Sequence, residues 1–530
     1  MASKKLPVSK KMFFTGLTTV TAITLLLIVA PFWPILIELL GAFTIFTLLY
    51  LSIITIYSYY LRKKIKRRRV YDVGVIFGAT EVRVAGGATS HMLGVIDSLK
   101  AIGAKRILVI FTTSEDKIIK DVVESVKKKG ADVKFINIST KLFTFRIFEE
   151  IRELSEAMAL AERFLLRYTI PSAFRAAFTI KIYFAKVASC SYIIFEMRRM
   201  CVSSRNFAIV PLISKITIAI RNCFPVIAEA HLPCLLFDEI FVESETSKEI
   251  VLKDSLFCKL FKNKVKGAYA PPKSYEPKGK ERGETFTVCF SGTFMGHHGA
   301  DELVLLLKKI KEKGLPVKLR IYAPEINLYK LFEEATKRLG LEEYYERVYI
   351  KDWNEYMKDM DENCDAFVVP YSDLVKIDPF FGTPSKLTEF ILLKRPIIIW
   401  NEKEYVRTLE ATAKTDCAIF VKDHEEAVEA IEKLLKDKKE CNVEMKESIF
   451  IKYLKEALQK RGKCTNKPLL LIPIALASIN EYGLAFWGWV TYLLLLYNIY
   501  YLFRVIYLIY ARGAYLEEYE RRFWRKVLSN

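Results

Sequence analysis

"TFTVCFSGTFMGHHGADELVLLLKKIKEKGLPVKLRIYA", Thr285 to Ala323, decides the fold. TFTVCFSG is a short apolar run, and a glycine-rich loop follows it. DELVLLLKKIKEKG then carries apolar residues at helical spacing, and PVKLRIYA is apolar again. A buried strand, a helix closed by glycine and another buried strand make a βαβ unit. Near-continuous apolar strands belong to a parallel sheet covered on both faces. ERVYI, DAFVVPY and RPIIIW, ending at Trp400, extend the series.

The same alternation runs upstream. YDVGVIFG (Tyr71–Gly78) reads as a strand and GGATSHMLGVIDSLKAIG (Gly86–Gly103) as a helix. RILVIFTT (Arg106–Thr113) and DVKFINI (Asp132–Ile138) follow as strands, then SYIIFE, FPVIAEAH and DEIFVES. Lys141 to Val187 reads as an insert of long helical segments rich in Phe, Ile and Arg. APPKSYEPKGKERGE (Ala270–Glu284) separates the two series. The expected fold is α/β, with two Rossmann-like doubly wound domains and α-helical transmembrane segments at both termini. Ligands of such sheets bind at the carboxyl ends of the strands.

The 530 residues are 52% hydrophobic with a formal net charge of +20. Greasy and basic together point to a membrane rather than to nucleic acid. The apolar excess lies at the two ends. Met12–Ala30 and Ile35–Leu61 flank APFWP, and each is long enough at ~1.5 Å per residue to cross ~30 Å of hydrocarbon. Lysines precede this pair and RKKIKRRR (Arg62–Arg69) follows it. Positive charge on both flanks predicts a hairpin with both ends in the cytosol. Near the other end, Leu484–Phe503 is long enough to span, and the basic, aromatic ERRFWRK (Glu520–Lys526) is expected at the cytosolic surface. The expected division is a hairpin with its basic flank over 1–69, one Rossmann-like domain over 70–270 and a second over 285–446. A return helix over 447–467 and a C-terminal membrane segment with basic tail over 468–530 complete it. The expected localisation is the cell membrane, multi-pass, with cytosolic catalytic domains. The ten cysteines show no CxxC pair and no His/Cys cluster has zinc spacing, so reduced core thiols and no metal site are expected.

Three glycine-containing strand ends carry the candidate chemistry. Gly86 and Gly87 open a helix after the first strand. The pattern is not GxGxxG, so no dinucleotide fingerprint is met, and a plain glycine turn is the competing reading. Gly292, Thr293, His297 and His298 stand in the matching place of the second series, where an exposed loop is the alternative. The third is GTPSKLTEFILLKRPIII (Gly382–Ile399). Thr383 suits an N-cap and Pro384 the first helical position. Ser385, Lys386 and Leu387 then offer amides at an electropositive helix start, which suits a diphosphate. Glu389, one turn on, suits a vicinal diol. A Lys386–Glu389 ion pair, worth only ~0.2–0.5 kcal/mol, is the bland account.

These stretches resemble the GT-B glycosyltransferases of the retaining, family-4 (group 1) type. GGATSHMLGVIDSLKAIGA is similar to their first loop and helix. VIAEAH is similar to the strand carrying their active-site histidine, here His231. DEIFVESETSKEIV and GTPSKLTEFILLKRPIII are similar to their pre-linker segment and nucleotide-sugar helix. The resemblance covers Tyr71 to Lys463. It implies a nucleotide diphosphate sugar as donor, Glu389 on its ribose and His231 lining the donor-sugar pocket. It implies retention of configuration, with no cofactor and no obligatory metal. Two departures stand out. Phe381 occupies the place of the family's first glutamate, with Asp378 as a stand-in, and Thr293 and His298 occupy the places of its phosphate-binding Arg and Lys. The expected partners are a nucleotide sugar, a lipid-linked acceptor and the membrane, with no nucleic acid. An inactive GT-B-like scaffold subunit of a membrane glycan complex and a membrane-anchored sugar-nucleotide epimerase are the alternatives.

Overall fold

The computed structural model describes residues 33–529, apart from 67, 78–86, 114–119, 139–145, 167–210, 215, 218–233, 235–238, 243, 255, 269–274, 280–284, 295, 297, 326–327, 351, 375–384, 401–402, 438–440, 460–473, 475 and 514. His231, Asp378, Phe381 and Gly86, the segment Met12–Ala30, and the strands expected at SYIIFE and FPVIAEAH lie outside the described residues.

The chain divides into two compact units, Met1–Tyr57 with Asn466–Tyr500, and Ser58–Thr465 with Tyr501–Asn530. In the first unit, α1 (Trp33–Lys64) meets α14 (Glu481–Arg512). The contact is made through glycine. A Cβ on Gly41 would lie 2.2 Å from the Leu484 carbonyl oxygen, and one on Gly488 2.1 Å from that of Ile37. The hydroxyls of Thr44 and Thr491 hydrogen-bond across the pair. Small residues that let backbones touch, joined by hydroxyl bonds, are how helices associate in lipid. Among the described residues one helix, Pro34–Lys64, is long and apolar enough to cross a membrane, with mean hydropathy 2.2.

The larger unit holds two parallel sheets. The first joins β1 (Tyr71–Phe77), β2 (Ile107–Phe111), β3 (Ala131–Phe135) and β4 (Ala161–Leu166) in the order β3-β2-β1-β4. Helices α2 (Gly87–Ala101), α3 (Lys120–Lys128) and α4 (Ile147–Met158) connect them. The β1/β2 and β1/β4 pairs are both parallel. β4 corrects the expected all-helical insert. AERFLL is a strand because Phe164, Leu165 and Leu166 are fully buried beside β1, with the Phe164 ring lying over Gly74. A separate parallel pair, β5 (Ile240–Val242) and β6 (Val265–Gly267), encloses α5 (Glu245–Asp254) and α6 (Leu256–Leu260).

The second sheet contains β7 (Phe286–Ser291), β8 (Val317–Tyr322), β9 (Tyr345–Val348), β10 (Ala366–Val369), β11 (Ile397–Trp400) and β13 (Ala418–Val421). Its helices are α7 (Ala300–Glu312), α8 (Tyr329–Arg338), α9 (Trp353–Asn363), α10 (Ser385–Leu392), α11 (Lys403–Thr412) and α12 (His424–Lys436). Read from β9, the order is β9-β8-β7-β10-β11-β13. That is the doubly wound 3-2-1-4-5-6 order, and its switch point falls between β7 and β10. β12 (Ala413–Thr415) and β14 (Val443–Met445) form a small antiparallel clip.

Two segments tie the lobes together. Helix α13 (Ile449–Gln459) leaves the second sheet and buries Phe450, Leu454, Ala457 and Leu458 in the core around Val73, Val75 and Val109 of the first. Near the C-terminus, Ile509 of α14 enters the other core of the first sheet. Helix α15 (Leu516–Ser529) then lays Tyr519, Phe523 and Val527 into the core of the second. The tail expected at the membrane surface is therefore a packed helix. Its aromatic residues recur at i, i+4 and i+8 with Val527, which makes an apolar stripe.

Cys234 is bonded to Cys258 and Cys289 to Cys364. The expectation of reduced thiols fails for these four. Spacing along the sequence carried no sign of the second pair, because Cys289 and Cys364 become neighbours only when β7 lies beside β10.

Candidate functional site

The switch point of the second sheet is built around Gly292, which follows β7. Its φ of +134° is open to glycine and strained for other residues. A Cβ there would lie 3.6 Å from Lys386 Nζ and 3.9 Å from His298 Nδ1. The β7 loop and the first turn of α10 thus bring Gly292, His298 and Lys386 together. His298 Nδ1 bonds the carbonyl of Thr293 within the loop, so Thr293 contributes its backbone there.

Lys386 is 7% exposed. Its Nζ is buried with no hydrogen-bond partner among the described residues and sits 4.9 Å above the Phe290 ring. Burial alone lowers its pKa to about 7. The ion-pair account would give this ammonium the Glu389 carboxylate, and among the described residues no such pair forms. A desolvated amine aimed at a glycine loop favours a bound anion strongly, because the anion would replace the lost hydration.

Glu389, one turn along α10, is 5% exposed and anchored from another side. Trp353 donates its indole N–H to Oε1 at 3.0 Å, and the Tyr356 hydroxyl donates to Oε2 at 3.3 Å. Tyr356 also bonds Ser291 Oγ at 2.6 Å, so one network runs from the end of β7 to α10. Burial, and next the charge of Glu389, hold the Tyr356 phenol well above its ordinary pKa, so it stays a donor. Tyr322 packs edge-on against Tyr356, and its own hydroxyl is held by Asp359 at 2.6 Å. Asp352 caps α9 by accepting from the amides of Asn354 and Glu355, which fixes the turn carrying Trp353 and Tyr356.

Trp353 and Tyr356 were not singled out by sequence reasoning. Their signal was present in KDWNEYMKDM, where an N-capping Asp precedes two aromatics three residues apart on an otherwise acidic helix. In the first sheet, Gly87 is the first residue of α2 after β1. Ser385 is the first residue of α10. Among the described residues one group of metal-ligand type converges elsewhere. Asp416, Cys417 and Cys441, at the β12–β14 clip, bring their ligand atoms within 4.8 Å of one another.

Two parallel sheets with a doubly wound second lobe define the class as an α/β protein whose second sheet has its topological switch point between β7 and β10. Residues 273–449, the second lobe, match the family described as Glycosyl transferases group 1. No curated protein matches the chain. Among solved structures it is similar to a glycosyltransferase from Rickettsia africae, at 12% identity over 77% of this chain and 98% of that one, with a TM-score of 0.44. It is also similar to UDP-GlcNAc 2-epimerase from Neisseria meningitidis bound to UDP-GlcNAc, at 10% identity over 77% and 100% with a TM-score of 0.39. The catalytic domain of starch synthase IV from Arabidopsis thaliana bound to ADP and acarbose is similar at 10% identity over 77% and 99%, with a TM-score of 0.43. Likenesses this distant bear on neither activity nor substrate.

Proposed function

We propose that this chain is a membrane-anchored GT-B glycosyltransferase, moving a sugar from a nucleotide diphosphate sugar to a lipid-linked acceptor such as a polyprenyl-phosphate sugar or a glycolipid. The observation that carries the reading is Lys386. Its buried ammonium, without a hydrogen-bond partner among the described residues, faces Gly292 at the switch point of a lobe that matches group 1 glycosyl transferases. The diphosphate would meet the first turn of α10 and Lys386. The ribose diol would lie one turn on at Glu389, where an ionised carboxylate can accept from vicinal hydroxyls. Helix dipole and ammonium together would stabilise the departing diphosphate without a metal. His231 and Asp378 are proposed for the sugar pocket, and configuration would be retained.

The acceptor assignment rests on the ends of the chain. α1 is long and apolar enough to span, and its contact with α14 is of the small-residue type. α14 itself exposes Phe486, Trp489, Leu493 and Leu494, so this reading places both helices in the bilayer. The basic flanks put the lobes at the cytosolic face. The two disulfides count against that cytosolic placement, since such bonds are rare in a reducing compartment. A membrane-impermeant thiol reagent applied to intact cells should leave a cysteine at position 2 unlabelled, and strong labelling would reverse the topology.

Incubation of the purified protein with radiolabelled nucleotide sugars and a membrane lipid extract tests the activity. Label in the lipid phase supports transfer. Binding without turnover supports the inactive scaffold, a reading favoured by His298 being turned onto its own loop. An isomerised free nucleotide sugar would replace transfer by epimerisation.

A further inference from the structure

The C-terminal helix α15 is far from the switch point in sequence, yet its last turn ends behind it. Lys526 Nζ lies 2.8 Å from Asp301 Oδ2, 2.5 Å from Glu302 Oε1 and 3.0 Å from Asp373 Oδ1. Asp301 and Glu302 are in the first turn of α7, directly after the loop that holds Gly292 and His298. Asp373 follows β10, and Arg522 of α15 donates to the Leu374 carbonyl at 2.8 Å. One helix therefore braces the loops on both sides of the switch point.

The charges make this more than packing. Asp301 is 0% exposed and Glu302 4%. Glu302 also takes the Trp400 indole N–H at 3.0 Å and the His424 amide at 3.1 Å. Burial alone would push Glu302 up, but His424, Lys526 and Trp400 hold it down to about 2, so it is ionised. Burial raises Asp301, and Lys526 opposes that rise. Burial also disfavours the Lys526 ammonium, yet the two carboxylates outweigh it and hold its pKa above the ordinary range. Without Lys526, buried negative charge would stand at the helix start beside the loop where an anionic ligand is to bind.

We infer that Lys526 is a positioning residue of the donor site: by neutralising Asp301 and Glu302 it lets a nucleoside diphosphate occupy the Gly292–Lys386 loop, so the membrane-proximal C-terminal helix is an integral part of donor binding. This rests on the donor-site reading above. In a protein interior, two unit charges about 10 Å apart interact strongly enough to change an affinity about tenfold.

The test uses the full chain in detergent micelles, with calorimetric titration of UDP and ADP and of uridine and adenosine as phosphate-free pairs. Lys526→Met should weaken the preferred diphosphate by about tenfold or more and leave its nucleoside within about twofold. Lys526→Arg should bind as the wild type does. Asp301→Asn with Glu302→Gln, Lys526 kept, should tighten the diphosphate by about threefold or more, and adding Lys526→Met should remove part of that gain. The double neutral variant keeps the proposal testable if Lys526→Met does not fold. Equal losses of diphosphate and nucleoside, or no gain on neutralising the carboxylates, would overturn the charge role and leave α15 as a brace only. Wild-type protein that binds neither diphosphate would overturn the donor-site reading, and this inference with it.

Discussion

The two sheets use glycine beside their central strands for opposite purposes. In the first lobe, Gly74 of β1 makes room. A Cβ there would lie 2.2 Å from the Phe164 ring, which is itself fully buried. Phe77, at the end of β1, bonds through its carbonyl to Thr112, and its surroundings are Met92, Phe111 and other apolar groups. In the second lobe, Gly292 supplies a backbone conformation and stands beside a buried lysine. Behind it lie the buried Ser291, Glu389, Asp301 and Glu302 and the half-buried Tyr356. Buried ionisable groups are expensive unless paired. Their concentration at one strand end is the feature on which the donor-site proposal draws. The apolar end of β1 suits close packing instead.

The strongest way to break this contrast is to remove the cation of Lys386. Lys386→Met keeps the length and deletes the charge. A charge-assisted contact is worth ~1.5–3 kcal/mol, so nucleoside diphosphate affinity should fall by about 10- to 150-fold while the nucleoside is unaffected. Stability at pH 6 should rise, because the folded state no longer holds a desolvated ammonium. Unchanged diphosphate binding in calorimetry would remove Lys386 from the site and level the two lobes.

The same cation sets a pH dependence. Its folded pKa is about 7, against an ordinary 10.5. Between those values the unfolded chain binds more protons, so Lys386 makes stability rise with pH from about 7 to 10.5. Ligand affinity should run the other way. Diphosphate needs the ammonium, so binding should weaken about tenfold per pH unit above 7, with proton uptake seen as a buffer-dependent binding enthalpy. Lys386→Arg should flatten this slope, since a guanidinium stays charged. A slope shared by wild type and arginine variant would assign the titration to another group.

The packing side of the contrast predicts a smaller change. Gly74→Ala should cost about 1–3 kcal/mol by overpacking, and Phe164→Leu in the same chain should recover part of it. Chemical denaturation reads both. No recovery would mean that Gly74 serves the strand backbone and not the ring above it.

The regular parts of this architecture were open to reading from the sequence. TFTVCFSG, PVKLRIYA and RPIIIW are continuous apolar runs, and parallel strands buried on both faces require that pattern. They became β7, β8 and β11. AERFLL was hidden, because one mixed turn follows α4 without a glycine to mark the break. The helix start at Lys386 was legible from Thr383 and Pro384, and so was the spacing to Glu389. What holds Glu389 was not, since Trp353 is brought to it by α9 packing beside α10 and not by proximity in the chain. Lys526 is the extreme case. A basic residue in a basic tail carries no local sign that it will meet Asp301, and only the apolar stripe Tyr519–Phe523–Val527 hinted at docking.

Glu389 gives the smallest effect and the finest test. Glu389→Gln keeps the shape and one carbonyl oxygen, so Trp353 can still donate and Tyr356 can be satisfied by the new amide. The fold should then lose about 1 kcal/mol or less. The charge, however, is gone. Trp353 and Tyr356 already use part of the carboxylate's capacity, so the lower end of the charged hydrogen-bond range applies, and affinity for the nucleotide should drop about tenfold. A 2′,3′-dideoxyribose form of the same nucleotide lacks the diol and should bind wild type and variant alike. Equal losses for both ligands would mean that Glu389 serves the Trp353–Tyr356–Ser291 network alone. The buried carboxylate would then be a structural tie, as Asp359 is to Tyr322, and the ribose would have to be held elsewhere along the second lobe.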